Sequence, residues 1–293
     1  MSAASPWLER LVCPKCRGHF ERRTALLHCP SCQTDYPSVA GKPWLRLSAP
    51  VVAESQYLGG WRGRLRNSRW YPLLFRLFSP VLVTGPDVAR RYAPLADAGG
   101  LVVDLGAGND RRHPRFLNID ILPYPNVDLV CDGEALPLAD ASVDALFNIA
   151  VLEHVAAPIR AIEEARRVLK PHAKLLIVVP FLQPFHAAPA DFRRWTLPGL
   201  RLELELAGFC VDEGGVYCGP CSTCAWLCAE SLAFVLSCGK PAWQSRLTLP
   251  LQALCSIFKW PDLFFARWRG AQSLASVVYV EAHKPGNADA GGA

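Results

Sequence analysis

The nine residues Leu101-Val102-Val103-Asp104-Leu105-Gly106-Ala107-Gly108-Asn109 constrain this chain more than any other stretch. Three apolar residues run into an acid, and a Gly-x-Gly turn follows. A strand covered on both faces reads as an unbroken apolar run. At the C-terminal end of such a strand, glycines let the backbone turn tightly and approach a ligand with no Cβ in the way. A Gly-rich turn after an apolar run is common on its own, and the residues that follow give it weight. Phe116-Leu117-Asn118-Ile119-Asp120 is a second apolar run ending in an acid, and Val127 to Glu134 is a third. Ala145 to Ile149 and Leu175 to Pro180 supply a fourth and fifth strand. An acid closing the second strand suits ribose hydroxyls.

In order, DLGAGN, NID, CDGEALPLADASVDALFN, VLEHV, RRVLKP and LLIVVPF resemble the class I S-adenosylmethionine (SAM) dependent methyltransferases of the small-molecule, ubiquinone-biosynthesis-like type. The resemblance covers residues 100–212. It implies an α/β fold, a doubly wound, seven-stranded Rossmann-like sheet with an antiparallel last strand. SAM would lie across the C-terminal strand ends. Asp104 and the turn Gly106, Ala107, Gly108 and Asn109 would hold its methionine end. Asp120, with Ile121 beside it, would hold the ribose, and Asp132, Gly133 and Glu134 would bracket the adenine. The chain departs from the pattern between Gly108 and Asp120. That segment contains Pro114 and is too short for a full crossover helix, so a turn or a loop is expected there. It carries Arg111, Arg112 and Arg115. One of them could meet the SAM carboxylate as guanidinium groups do, or all three are solvated loop charges.

The first 48 residues read as a separate unit. Cys13-x-x-Cys16 and Cys29-x-x-Cys32 are two knuckles of the kind that gives zinc four tetrahedral thiolates. A segment this short needs the metal to fold. His19 and His28 are expected at the surface. The string VCPKC…HCPSCQTDYPSVAGKPWL resembles the zinc-ribbon module that partners and activates tRNA and release-factor methyltransferases, here fused to the enzyme, with any protein partner of its own unidentified. The chain holds 12 cysteines and no apolar signal core at its N-terminus, which argues for metal or free thiols over disulfides. The expectation is a cytoplasmic protein, with any membrane association at the inner face. A net charge of +5 on 293 residues does not by itself imply a nucleic-acid partner.

Residues 49–97 read as a linker. Within it, Trp61 to Arg76 interleaves Arg62, Arg64, Arg66, Arg69 and Arg76 with aromatic and aliphatic residues and no acid. Such text fits an interfacial helix on anionic lipid, an RNA-facing patch, or a helix packed on the domain with its arginines in water. The methyltransferase domain then spans 98–284, and a Gly/Ala-rich tail spans 285–293. Pro158 opens a helix that Lys170-Pro171 stops, with Glu163 and Glu164 on its exposed side. Phe185 to Thr196 packs a His, an Asp and two Arg into one loop at a strand end. Its H-x-x-P-x-D-x-x-R-x-T pattern resembles methyltransferases associated with sugar, glycan and lipid-linked substrates. If the acceptor is a hydroxyl, a base helps. His186 is the first candidate and His154 the second, with Asp191 beside them or paired to Arg194. Between the sixth strand, Phe209 to Val216, and the last, Ser276 to His283, lies an insertion (about 217–275). Trp226 to Leu236 and Leu249 to Phe265 read as its two helices, a lid over an apolar substrate. Cys218, Cys221, Cys224 and Cys228 match a ferredoxin spacing without a second run, so buried thiols are expected.

Three functions remain open on the sequence. The first is methyl transfer to a small-molecule, glycan or lipid-linked acceptor, with peripheral membrane contact. The second is RNA methylation using the ribbon and the arginine-rich segment. The third is a non-catalytic scaffold. SAM and zinc are the expected ligands of the first two.

Overall fold

The computed structural model describes residues 6–23, 26–39, 41–47, 71–186 and 190–286. Arg62, Arg64, Arg66 and Arg69 of the basic-aromatic segment lie outside the described residues, as do Trp61 and Trp70. The first four strands are short: β1 (Glu21–Arg23), β2 (Leu26–Cys29), β3 (Thr34–Val39) and β4 (Lys42–Leu45). Then follow β5 (Val102–Leu105), β6 (Leu117–Asp120), β7 (Leu129–Cys131), β8 (Val143–Ile149), β9 (Leu169–Pro180), β10 (Cys210–Cys218) and β11 (Val277–His283). All eleven form one sheet in the order β1-β2-β3-β4-β7-β6-β5-β8-β9-β11-β10. The seven strands from β5 onward pair as expected, parallel through β9 with β11 antiparallel to it. The expected count of seven is too low. β4 runs parallel to β7, Trp44 opposite Val130 and Leu45 opposite Cys131, so the N-terminal segment extends the sheet. Sequence periodicity carries no signal for a pairing this distant, since each partner offers only three or four residues.

The sheet's alternation divides the core. Val103, Leu105, Leu117, Ile119, Leu146, Leu175 and Ile177 face one way. Helices α3 (Pro158–Val168) and α4 (Leu197–Leu206) cover them with Ala161, Ile162, Ala165, Val168, Leu200 and Leu204. Val102, Ala145, Phe147, Leu176 and Val178 face the other way, under Val88, Tyr92 and Ala96 of α2 (Val88–Asp97). Asp87 caps α2 by accepting from Arg90 N at 3.1 Å, and Thr196 caps α4 by accepting from Gly199 N at 3.1 Å. Between β5 and β6 the described chain forms turns and no helix, as the spacing predicted.

Two expectations about charged and polar side chains fail. Glu164 is not on a free face: it accepts from Leu136 N at 2.9 Å and from Arg167, and Arg17 reaches it at 3.1 Å. His28 is buried, its Nδ1 2.6 Å from Asp35. Both depend on partners that the fold brings from elsewhere.

The insertion also differs in its boundaries. α5 spans Pro220–Leu236 and α6 Pro241–Cys255, followed by a short turn at Asp262–Phe265. The first helix begins earlier than expected because the buried Asp262 caps it, accepting from Cys221 N at 2.9 Å and Ser222 N at 2.7 Å. Each helix opens on a proline at its first turn, where the missing N–H costs nothing. Cys218 and Cys255 are buried, but Cys224 and Cys228 are exposed, so the expectation of buried thiols holds only in part. Lys259 is wholly buried. Its Nζ donates to the carbonyls of Arg76 (2.7 Å), Leu77 (3.2 Å) and Ser79 (2.5 Å). These lie at the C-terminal end of α1 (Tyr71–Phe78), so one ammonium ties the end of the basic-aromatic segment to the insertion. No described helix is long and apolar enough to cross a membrane.

Candidate active site

The β5 turn is built on two left-handed glycines, Gly106 (φ +77°) and Gly108 (φ +57°). A Cβ on Gly106 would lie 2.0 Å from Val151 Cγ2, whereas one on Gly108 would meet nothing. The first glycine is required by packing, and the second leaves an open cradle. The turn is held by Gly106 N and Ala107 N donating to Ile119 O at 2.8 and 3.0 Å. Asp120 Oδ2 accepts from Gly108 N at 2.8 Å, and Oδ1 accepts from Leu122 N at 2.9 Å. Burial raises the Asp120 pKa against these N–H bonds. A cavity of about 240 Å³ opens here at the C-terminal strand ends. Of the expected cofactor residues, Gly106, Gly108, Asp120, Ile121 and Gly133 line it, together with His154. Asp104, Ala107, Asn109, Asp132 and Glu134 stand behind the lining. Asp132 Oδ2 accepts from Leu47 N at 2.7 Å, and Glu134 accepts from Ala157 N at 2.8 Å.

Asp104 is buried, and burial pushes its pKa up to about 6 against the Arg112 guanidinium, which donates to Oδ2 at 2.7 Å. Its Oδ1 has no hydrogen-bond partner, and neither does the buried Oδ1 of Asn148 on the cavity wall. Orphaned acceptors beside a carboxylate suit a ligand that brings positive charge, such as the ammonium and sulfonium of SAM. The three arginines separate. Arg112 stays beside Asp104. Arg111 turns to Asp128 at 2.7 Å and Asn126 O at 2.6 Å, and Arg115 to Asp97 O at 3.3 Å. Arg111 and Arg115 line a different cavity, so neither belongs to the cradle.

Next to the cavity lies a cluster that joins two sequence motifs. After β8, Val151 leads into a short 3-10 turn, Leu152–His154. The loop after β9 brings His186, Asp191 and Arg194. The His154 and His186 rings stand edge to face, 5.4 Å apart. Asp191 accepts from His186 N at 2.8 Å and forms an ion pair with Arg194 through both of its oxygens. The Arg194 pairing holds the Asp191 carboxyl at about 2, so Asp191 stays ionised and orients the loop. For His186, burial opposes the charged ring, but Glu153, Pro184 O and Asp191 outweigh it and raise the pKa above its ordinary value. Trp226 of α5 lies 5.8 Å from the His186 ring and carries the insertion into the site.

Sequence reading missed Asn148, Glu153 and Trp226. Glu153 stood inside a motif whose histidine drew the attention, yet it is the fully buried member.

In the N-terminal unit, the four expected sulfurs lie within 4.8 Å of one another. Cys13 and Cys32 are 3.6 Å apart, and Cys16 and Cys29 are 3.4 Å apart. Tetrahedral zinc with sulfur at 2.3 Å needs edges of about 3.8 Å, so the set fits that ion. The Tyr36 and Thr34 hydroxyls lie 3.3 Å from Cys13 and Cys32 sulfurs, where they can donate to thiolates. The unit also touches the cavity. Arg46 Nη1 donates to Ile121 O at 3.2 Å, and Leu47 N to Asp132. Lys42 Nζ donates to Tyr124 O and Pro125 O.

Residues 104–177 match the methyltransferase-domain family. The chain is 34% identical over 96 residues to an uncharacterised 37.1 kDa transposon protein of Streptomyces fradiae, covering 33% of this chain and 27% of that one. It is 36% identical over 109 residues to a "Probable S-adenosylmethionine-dependent methyltransferase" of Mycolicibacterium smegmatis, covering 33% of this chain and 40% of that one. The chain therefore spans less than half the length of either relative. Among solved structures, it is similar to a complex between the Haloferax volcanii Trm112 methyltransferase activator and a candidate methyltransferase. That match has 17% identity, covers 82% and 100% of the two chains, and has a TM-score of 0.44. It is also similar to Haemonchus contortus phosphoethanolamine N-methyltransferase 2 in complex with phosphomonomethylethanolamine and S-adenosylhomocysteine (14% identity, 80% and 61% covered, TM-score 0.45). Residues 104–177, the segment that builds the cradle, are thus similar to a methyltransferase domain.

Proposed function

We propose that the chain transfers the methyl group of SAM to an acceptor held at an anionic membrane surface, a lipid-linked molecule. When bound, SAM supplies an electrophilic methyl on its sulfonium. The chain's residues do the rest. The Gly106–Gly108 turn and Asp120 hold the cofactor, and the orphaned Asn148 oxygen on the cavity wall receives its positive charge, with the Asp104 carboxyl behind it. Glu153, His154, His186 and Trp226 form the acceptor side and exclude water. The four cysteines hold zinc, and the ribbon built on it braces Ile121 and Asp132 from behind.

The insertion carries the choice of acceptor. Beside Trp226, α5 and α6 and the turns after them leave a large apolar surface in water. Val235, Trp243, Leu254 and Phe264 are 66%, 56%, 69% and 72% exposed. Leu73, Phe75 and Phe78 of α1 continue the surface, to which Lys259 fixes them. The exposed charges among them are basic (Lys240, Arg246, Arg267 and Arg269). The insertion's two acids are Glu230, half-buried, and Asp262, buried. Apolar area of this extent with a one-signed basic fringe suits the headgroup boundary of anionic lipid. The test is transfer of labelled methyl from SAM into membrane extract, with Asp120→Ala as control, and co-sedimentation with vesicles. Label in the lipid fraction and binding to phosphatidylglycerol vesicles but not to neutral ones are expected. Label confined to RNA or to the soluble pool would overturn the reading.

A further inference from the structure

Glu153 is an anomaly for a charged group. Its side chain is 0% exposed, and neither carboxylate oxygen has a hydrogen-bond partner. A buried carboxylate without donors is costly and needs an explanation. What it faces is two imidazole nitrogens. His154 Nε2 and His186 Nε2 each lie 3.7 Å from Glu153 Oε1, outside hydrogen-bond range.

The other ring nitrogens fix the tautomers. His154 Nδ1 bonds to Ala190 O, and His186 Nδ1 lies 3.0 Å from Pro184 O. A carbonyl can only accept, so in both rings Nδ1 carries the hydrogen. The Arg194 nitrogen near His186 Nδ1 does not change this. Its two hydrogens already go to Pro184 O at 2.9 Å and Asp191 at 2.6 Å. In the neutral rings, Nε2 therefore presents a lone pair. Two lone pairs and a carboxylate oxygen, all within 4.8 Å of one another, converge on one small space. Three acceptors aimed at each other repel unless a proton or a metal cation stands between them, and at 3.7 Å the Nε2–Oε1 separations are too long for a hydrogen bond through a proton.

We propose that Glu153, His154 and His186 bind a first-row divalent metal ion beside the SAM cavity, separate from the zinc ribbon. Metal–ligand bonds of about 2.0–2.2 Å place tetrahedral ligands about 3.4 Å apart, so the 3.7 Å separations need contract only slightly. Two imidazoles and one carboxylate suit zinc, manganese, iron or cobalt, and leave coordination positions open. Each imidazole donates its Nδ1–H to a backbone carbonyl, the support that orients metal-bound histidines. Trp226 screens the His186 side, and Asp191, neutralised by Arg194, does not compete. His154 lines the cavity, so the ion would stand at the wall between the cofactor and the acceptor side. There the ion would bind an oxygen of the acceptor and lower its pKa, making the acceptor a hydroxyl compound. This last step rests on the methyl-transfer reading, and the metal site does not.

The experiment titrates MnCl2 into the full chain loaded with one equivalent of zinc, which the four thiolates take, and reads free Mn²⁺ by electron paramagnetic resonance. Mn²⁺ ranks below zinc in affinity, so it leaves the ribbon's thiolates occupied, and uptake of about one Mn²⁺ per chain is expected. Glu153→Gln and His186→Gln should each weaken uptake by more than the about 10- to 100-fold that loss of an outer-shell partner costs, while circular dichroism stays unchanged. No uptake by the wild-type chain of Mn²⁺ at millimolar concentration, nor of Co²⁺ by absorption, would overturn the site. Equal uptake by folded variants would overturn it as well. SAM binding is measured by calorimetry on the same samples. A chain that takes up Mn²⁺ but no SAM keeps the metal site and loses the methyl-transfer reading. One that binds SAM but no metal loses the metal site alone.

Discussion

Gly106→Ala tests whether the β5 turn is set by packing or only by its backbone angle. Two costs are predicted. At φ +77° a Cβ meets the following carbonyl, at about 1–2 kcal/mol. That same Cβ would sit 2.0 Å from Val151 Cγ2, and relief requires Val151 to move. Overpacking of this kind costs about 1–3 kcal/mol, for a total of about 2–5 kcal/mol. In a chain of this size that lowers Tm by roughly 4–20 °C, at about 2–4 °C per kcal/mol. Val151 lines the cavity, so its displacement should weaken SAM binding about tenfold or more. The second variant separates the two costs. Val151→Ala removes both methyl groups and leaves Cβ, 3.1 Å from the new atom. The two substitutions should therefore couple favourably, the double variant being about 1–3 kcal/mol more stable than the sum of the single effects predicts. The assays are urea denaturation followed by circular dichroism and SAM calorimetry. Additive effects of the two substitutions, or a Gly106→Ala chain as stable as the wild type, would refute the packing argument.

Removing zinc with a chelator should release β1–β4 and, with them, the Leu47 bond to Asp132 and the Arg46 bond to Ile121. The loss of about one net hydrogen bond from the pocket wall should weaken SAM at least about fivefold. Unchanged SAM affinity in zinc-free protein would disconnect the ribbon from the pocket. Asp104 gives a pH test. Burial pushes its pKa up to about 6. The folded chain then keeps this proton at a pH where the unfolded chain has lost it. Its contribution to stability therefore falls as pH rises from about 4 to about 6, and is level above that. The difference in unfolding free energy between wild type and Asp104→Asn should drop by about 3 kcal/mol across that window. A difference that does not change with pH would refute the raised pKa.

The sequence was most informative where local pattern decides structure. β5, β6, β8 and the end of β9 are buried on both faces of the sheet, so each reads as an apolar run. The Gly-x-Gly turn follows from φ alone, and Asp87 and Thr196 are caps by local chemistry. What escaped was set by distant partners. β4 is a strand because β7 lies beside it, and four residues of Lys-Pro-Trp-Leu cannot say so. Glu164 became a hub because Arg17 and Leu136 N converge on it. Lys259 is buried because the carbonyls ending α1 need a donor. Glu153 followed the same rule. Its position after β8 was legible, but its burial between two histidines required the loop after β9 to fold back.

The ribbon's place in the sheet follows from the edge problem. Without it, β7 would show a row of unpaired N–H and C=O groups beside the Cys131–Gly133 side of the cavity, open to any passing strand. β4 covers that row in parallel register, and β3, β2 and β1 carry the sheet outward to Glu21-Arg22-Arg23, which is short, charged and exposed. At the opposite edge β10 is irregular near Asp212 and Glu213, which also discourages pairing. Covering β7 puts Arg46 and Leu47 against Ile121 and Asp132, so protecting the edge also braces the cofactor side of the site. The acceptor side is left to the insertion, which enters from β10 and reaches His186 through Trp226. On the proposed function, cofactor support and acceptor selection come from opposite edges of one sheet. For that reason a change in the ribbon should act on SAM affinity, and a change in the insertion on the acceptor.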